Sequence, residues 1–151
     1  MRTFSPALTS IITLGLTEHD RIFSAPKLFF AYGLGNSLSF PLWAGSTAVL
    51  LEDRPTAQNT LAMIERFAPT LYFGVPTLYA AQVAAMEKDR PIRMTRTRLC
   101  LSGGEPLPPA VCERWKRLTG VDVLDGKCDR PSLAGPLQEG RYAANVCRDS
   151  S

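Results

Sequence analysis

The sequence predicts an α/β fold, a largely parallel sheet with helices between successive strands and on both faces. Three observations carry the prediction. Five short runs rich in β-branched and aromatic residues recur with starts 23 to 28 positions apart. Segments bearing helix-start and helix-stop signals lie between them. The runs are nearly continuous in apolar character, as strands are when helices cover both faces of a parallel sheet. The size agrees, since 151 residues is one domain's worth at about 150 residues per domain. With 45% hydrophobic and 21% charged residues, the composition is that of a folding globular chain.

In order along the chain, Ala7 to Leu16 reads as the last turns of a helix stopped near Gly15. The first strand is expected over Arg21 to Ser24. Asn36 precedes Leu38 and Trp43 as the start of a helix, and Thr47 to Leu51 follows as the second strand. Thr56 caps a helix carrying Leu61, Ile64 and Phe67 on one face. Thr70 to Gly74 is the third strand, and Pro76 opens a helix through Leu78 to Met86. Arg98 to Ser102 is the fourth strand. Pro109 opens a helix through Val111 to Leu118, with Gly120 as its stop. Val121 to Leu124 is the fifth strand. From Lys127 the period fails amid Asp129-Arg130-Pro131, Gly135-Pro136 and Glu139-Gly140-Arg141, so residues 127–151 read as a poorly ordered tail.

Several function classes drop out. Seventeen Lys and Arg against fourteen Asp and Glu leave a formal +3 with no run of like charge, so no nucleic-acid surface is expected. Leu28 to Leu51 carries no charge, but Gly33, Gly35, Asn36, Pro41 and Gly45 break it, and no membrane span is expected. Cys100, Cys112, Cys128 and Cys147 contain no C-x-x-C pair, and His19 is the only histidine. That pattern argues against zinc, a redox motif or a secreted disulfide framework, and leaves reduced thiols in the cytoplasm as the expectation. There is no G-x-S-x-G elbow for a serine hydrolase.

In open α/β sheets, ligands bind beyond the carboxyl ends of the strands. The loops to weigh are therefore Ala25-Pro26-Lys27, Gly74-Val75-Pro76-Thr77, Ser102-Gly103-Gly104-Glu105-Pro106 and Asp125-Gly126. Adjacent glycines at 103 and 104 remove two Cβ atoms, so a flat ring could rest on bare backbone; the same pair also serves as a plain strand-to-helix turn. It matches neither G-x-x-x-x-G-K-[ST] nor G-x-G-x-x-G, so it is not a phosphate loop. Phe29, Phe30 and Tyr32 stand among small residues, a composition that forms either a flat apolar slot with a phenol at its rim or ordinary core. Lys27, Glu105 and Asp125 are the charged groups at these strand ends, and the sequence assigns none of them as acid or base.

Three stretches, taken in order, carry a family resemblance: Asp20-Arg21-Ile22-Phe23-Ser24-Ala25-Pro26-Lys27-Leu28-Phe29-Phe30-Ala31-Tyr32-Gly33-Leu34-Gly35-Asn36, Phe73-Gly74-Val75-Pro76-Thr77-Leu78-Tyr79, and Leu101-Ser102-Gly103-Gly104-Glu105-Pro106-Leu107-Pro108. Together they resemble the benzoate-CoA ligases of the AMP-binding, adenylate-forming superfamily over about Leu14 to Gly126. The resemblance implies a doubly wound domain, here in part, and a two-step reaction. A carboxylate attacks the α-phosphate of ATP to give an acyl-adenylate and pyrophosphate, and the thiol of CoA then displaces AMP. Magnesium would assist the first step. By the same resemblance Ala31, Tyr32 and Gly33 would line the pocket of an aromatic carboxylic acid. Gly103, Gly104, Glu105 and Pro106 would form a backbone shelf beside adenine, and Asp125 and Gly126 would open the D-G-I-G-S-T-E segment near the acid.

The departures from the family are equally specific. Its phosphate loop would precede Met1, its ribose aspartate and catalytic lysine would follow Ser151, and Lys127-Cys128-Asp129-Arg130 stands where I-G-S-T belongs. Residues 1–126 are thus expected to be a partial adenylation domain and 127–151 a divergent tail. The chain is expected to be an internal ligase fragment, inactive alone, with no catalytic or metal-ligating residue of its own and no tight hold on ATP, CoA or magnesium. The alternative is a non-catalytic small-molecule-binding or interaction module derived from that fold. Arg130-Pro131-Ser132 can be encoded by CGA-CCG-AGC, and the same bases preceded by T and read one nucleotide earlier give TCG-ACC-GAG, Ser-Thr-Glu, the missing motif.

Overall fold

The computed structural model describes residues 14–126 and 145–146. The chain runs through β1 (Arg21–Ser24), α1 (Ala31–Leu34), a π-helical turn (Gly35–Ser39), α2 (Phe40–Ala44), β2 (Thr47–Val49), α3 (Ala57–Phe67), β3 (Leu71–Gly74), α4 (Pro76–Lys88), β4 (Leu99–Gly103), α5 (Pro109–Thr119), β5 (Val123–Gly126) and β6 (Asn145–Val146). The sheet order is β2-β1-β3-β4-β5-β6. The first five strands are parallel and β6 is antiparallel to β5. Strand order reverses direction at β1, because β2 lies on one side of it and β3 on the other.

The two faces of the sheet differ. On one, Phe23, Tyr72, Cys100 and Val123 meet α3, α4 and α5 in the main core, which includes Leu61, Ile64, Tyr79, Val83, Met86, Cys112 and Trp115. Helix spacing places these residues: α4 buries Tyr79, Gln82, Val83 and Met86, and α5 buries Cys112, Trp115 and Thr119, in steps of three and four. On the other face, Ile22, Leu71 and Phe73 form a smaller cluster with Leu14, Leu16, Tyr32, Leu99 and Leu101. Helix α1 packs Tyr32 on that second cluster, while Leu34, Leu38, Leu42 and Trp43, spread over α1, the π-helical turn and α2, are exposed, Trp43 at 64%.

The helix signals are realised with caps of the expected kind. Thr56 accepts from the Asn59 N–H at 3.2 Å ahead of α3, and Gly120 closes α5 at φ 84°. Leu14 is helical and Gly15 follows it at φ 58°, whereas the rest of the expected Ala7 to Leu16 helix lies outside the described residues. One expectation needs correction: the helix following β1 opens at Ala31, and Asn36 is buried inside the π-helical turn instead of capping it. Pro41 explains the turn. Proline has no N–H and its ring crowds the carbonyl four residues back, so an α-helical ladder cannot run unbroken through it. The ladder widens just before it, with the Phe40 N–H donating five residues back to the Gly35 carbonyl. The uncharged stretch from Leu28 to Leu51 thereby becomes loop, short helices and strand, and no helix among the described residues is long and apolar enough to cross a membrane.

The tail expectation for 127–151 lies outside the described residues apart from β6, whose Asn145 and Val146 pair with Asp125 and Leu124. Strand bounds shift slightly from the sequence expectation, most at β5, which runs over 123–126 where 121–124 was expected.

Candidate functional site

The carboxyl ends of β1, β3 and β4 open into a cleft of about 610 Å³ beside the reversal of strand order, the place where open α/β sheets leave room for a ligand. One wall is the segment after β1: Ala25, Pro26, Lys27, Phe30 and Tyr32. The facing wall is Arg54, Pro55, Thr56 and Ala57, at the start of α3. Val75, Thr77, Leu78 and Ala81 of α4 and its approach close one side, and Gly103 and Gly104 lie at the end of β4. Among the described residues the lining is mostly apolar, its charged members are Lys27 and Arg54, and none is a carboxylate. A cleft of that size and character suits a small ligand with an apolar body, and the two cations favour an anionic end.

Glycine makes this geometry possible. An added Cβ at Gly103 would stand 2.7 Å from Tyr32 Cζ and 3.1 Å from its hydroxyl, so the phenol ring lies directly on the glycine backbone. Tyr32 also meets Phe73 edge to face, with centroids 6.2 Å apart. Gly104, at φ 99°, has open space above it. Behind the turn, buried Leu107 anchors the segment, leaving Glu105 and Pro106 exposed.

The expected site residues therefore separate into groups. Tyr32, Gly103 and Gly104 converge on the cleft. Ala31 is exposed, and Gly33 is buried against the carbonyls of Pro26 and Lys27, where its missing Cβ lets α1 dock on the loop after β1. Glu105 and Pro106 are outside the cleft lining. Asp125 and Gly126 lie on β5 in register with Ser102 and Gly103, so the backbone of two expected site segments runs side by side. Phe30 reaches the cleft at 57% exposure, whereas Phe29 is 79% exposed and meets Phe30 at a tilt of 44° with centroids 4.5 Å apart.

The Arg54 to Ala57 wall was not among the loops weighed from the sequence. Its signal was available, because this loop also follows the carboxyl end of a parallel strand. What holds it against the cleft is a long-range contact. Lys27 Nζ donates to the carbonyls of Leu51 at 3.0 Å, Glu52 at 2.9 Å and Asp53 at 2.5 Å.

The core beneath the cleft is built to stay neutral. Gln82 Nε2 donates to Thr60 Oγ1 at 2.7 Å and to the Tyr72 hydroxyl at 2.9 Å, and the Tyr79 hydroxyl donates to the Leu101 carbonyl at 2.9 Å. Burial pushes both phenols upward, and the Cys100 thiol up to about 12, so none of the three serves as a base near neutral pH. Cys100 and Cys112 are buried free thiols, and Cys128 and Cys147 lie outside the described residues. Among the described residues no group of three His, Cys, Asp or Glu could hold a metal ion. Among the described residues the cleft lining offers magnesium no carboxylate ligand.

The family model for AMP-binding enzymes matches residues 1–126. The benzoate–CoA ligase of Thauera aromatica is 50% identical over 113 residues, which are 75% of this chain and 21% of that protein. The solved benzoate CoA ligase from Burkholderia xenovorans LB400 superposes with a TM-score of 0.72 at 46% identity, covering 78% of this chain and 24% of the other. An anthranilate CoA ligase, AuaEII, solved in complex with anthranoyl-AMP, gives 0.68 at 42% identity over 74% of this chain and 22% of its own. The chain thus spans about a fifth of the length of the curated relatives it matches. Parallel sheet and sequence likeness agree, and the chain belongs to the AMP-binding enzyme family, where it is similar to benzoate–CoA ligases.

Proposed function

We propose that this chain forms the aryl-acid cleft of an aryl acid–CoA ligase and does not complete the adenylation by itself. One observation carries the reading: the Tyr32 ring rests on the bare backbone of Gly103 at the mouth of an apolar cleft whose charged members are both cations. An aromatic carboxylate has the matching form, a flat apolar body with one negative end. The solved relative that holds anthranoyl-AMP supports the same class of ligand. In the complete reaction the acid's carboxylate oxygen attacks the α-phosphorus of ATP, pyrophosphate leaves, and the thiol of CoA displaces AMP from the acyl carbon.

Among the described residues Arg54 and Lys27 are the charged groups of the cleft lining, and Lys27 already spends its three donors on backbone carbonyls. The site therefore offers little of the preorganised charge that a transferring phosphoryl group requires. Calorimetry with benzoate tests the binding half of the proposal. Tyr32→Ala is expected to weaken benzoate roughly ten-fold, the effect of losing about 1.4 kcal/mol. Pyrophosphate release from ATP and benzoate is expected to stay at the no-protein level. Unchanged affinity in Tyr32→Ala would overturn the cleft assignment, and sustained pyrophosphate release by pure protein would overturn the claim that the chain is inactive alone.

A further inference from the structure

Lys27 lies on the wall of the cleft, yet its ammonium points away from a ligand role. All three of its donors are taken by consecutive carbonyls, those of Leu51, Glu52 and Asp53, in the segment that runs from β2 to the start of α3. Its backbone is held equally firmly from the other side. The Phe30 N–H donates to the Lys27 carbonyl at 3.1 Å, and an added Cβ on Gly33 would stand 2.1 Å from that same carbonyl oxygen, so α1 is seated directly on it. Next door, the Ala25 N–H donates to Phe73 on β3 at 2.9 Å.

One residue thus joins the two facing walls. Through its carbonyl it is fixed to α1, which carries Tyr32, and through its ammonium to the segment that presents Arg54, Pro55 and Thr56. The other restraints on that segment among the described residues sit at its two ends or are long: Leu51 packs partly on the core, Thr56 caps α3 and its carbonyl accepts from the Thr60 N–H at 3.0 Å and hydroxyl at 2.7 Å, and Asn59 Nδ2 donates to the Arg54 carbonyl at 3.3 Å. Charge-assisted hydrogen bonds are the stronger kind, and here three of them converge on one short loop.

We infer that Lys27 is a positioning residue whose ammonium sets the spacing between the Tyr32 wall and the Arg54–Thr56 wall, and so decides which ring sizes the cleft accepts. This rests on the aryl-acid reading above and deepens it. The side chain acts on the acid only through the loop it holds, so its removal changes selectivity between acids, whereas a general loss of folding would weaken all of them together.

Lys27→Met keeps the aliphatic stem and removes the three donors. Two readouts on the full chain decide the matter. The first is calorimetric affinity for benzoate and for the larger naphthoate. The preference for benzoate is expected to fall roughly ten-fold in Lys27→Met, the scale on which pocket shape discriminates; equal weakening of both acids overturns the inference. The second is limited proteolysis with V8 protease without ligand. Cleavage after the exposed Glu52 is expected to run roughly ten-fold faster, with cleavage after Glu65 on α3 and Glu87 on α4 unchanged, as in local opening; unaltered cleavage after Glu52 overturns it. Should the methionine variant fail to fold, Lys27→Gln, too short to span to the three carbonyls, is read in the same way. A wild-type chain that binds neither acid overturns the aryl-acid reading itself, and the cleavage result then decides alone whether Lys27 holds the wall.

Discussion

Gly33 occupies a position where a side chain has no room. A Cβ there would meet the Lys27 carbonyl oxygen at 2.1 Å and the Pro26 carbonyl oxygen at 2.6 Å, both backbone atoms that cannot swing aside. Overpacking against rigid neighbours costs about 1–3 kcal/mol in well-packed cores, occasionally more. Gly33→Ala is therefore expected to destabilise the chain by about 3 kcal/mol, read as a lowered urea midpoint with an unchanged slope. Gly103 differs in kind, because there the crowding atoms belong to the Tyr32 ring, which has rotamers to move into. The motif glycines thus perform two separate tasks, one seating a helix and the other bearing a ring. Sequence alone showed the glycines but not this division, since it depends on which atoms stand opposite each missing Cβ.

Helix α3 shows how far local signals reach. Thr56 satisfies its first turn, and Ala57, Thr60, Leu61 and Ile64 form its buried stripe. Thr56→Ala is expected to cost about 1 kcal/mol, the usual worth of such a cap, measurable by chemical denaturation. Elements of this kind were legible in the sequence, because start signal and apolar stripe are written within a dozen neighbouring residues; α4 and α5, opened by Pro76 and Pro109, belong with it. The segment from Ala31 to Ala44 was not. Its first residue follows Phe30, which supplies no side-chain cap, and its start is fixed by Gly33 docking on a distant loop. The candidate site divides along the same line. The Gly103-Gly104 turn and the aromatic run around Tyr32 were visible as composition, whereas the Arg54 to Ala57 wall owes its place to a lysine more than twenty positions earlier in the chain.

Across the whole molecule, the amino ends of the strands are gathered by Asp20. Its carboxylate accepts from the Thr17 N–H at 2.9 Å, Thr70 Oγ1 at 2.7 Å and Arg98 at 2.9 Å and 3.2 Å, joining the segments that lead into β1, β3 and β4. Arg98 extends the clasp to the carbonyls of Leu14 and Gly15. Burial alone would raise this carboxyl, but the donors from Arg98, Thr70 and Thr17 outweigh it and hold the group at about 2. An acid depressed by folding stabilises the native state above its unfolded value and loses that contribution as pH falls through the folded one. Stability is thus expected to drop by on the order of 2 kcal/mol between about pH 4 and pH 2 through this group. Asp20→Asn should flatten that part of the profile, as followed by denaturation midpoints across pH.

The all-parallel pairing of β1 to β5 has a consequence in time. No two of these strands can close as a hairpin, and even the pairing nearest in sequence, Cys100 with Val123, spans roughly two dozen positions with a helix between. Loop closure must be spent before any ladder bond repays it. The helices, whose signals are local, can flicker into being within about a microsecond, while the sheet waits on a chance meeting of remote segments. The cleft exists only where the carboxyl ends of β1, β3 and β4 lie side by side, so a nascent chain has no place to bind anything until these remote pairings have closed.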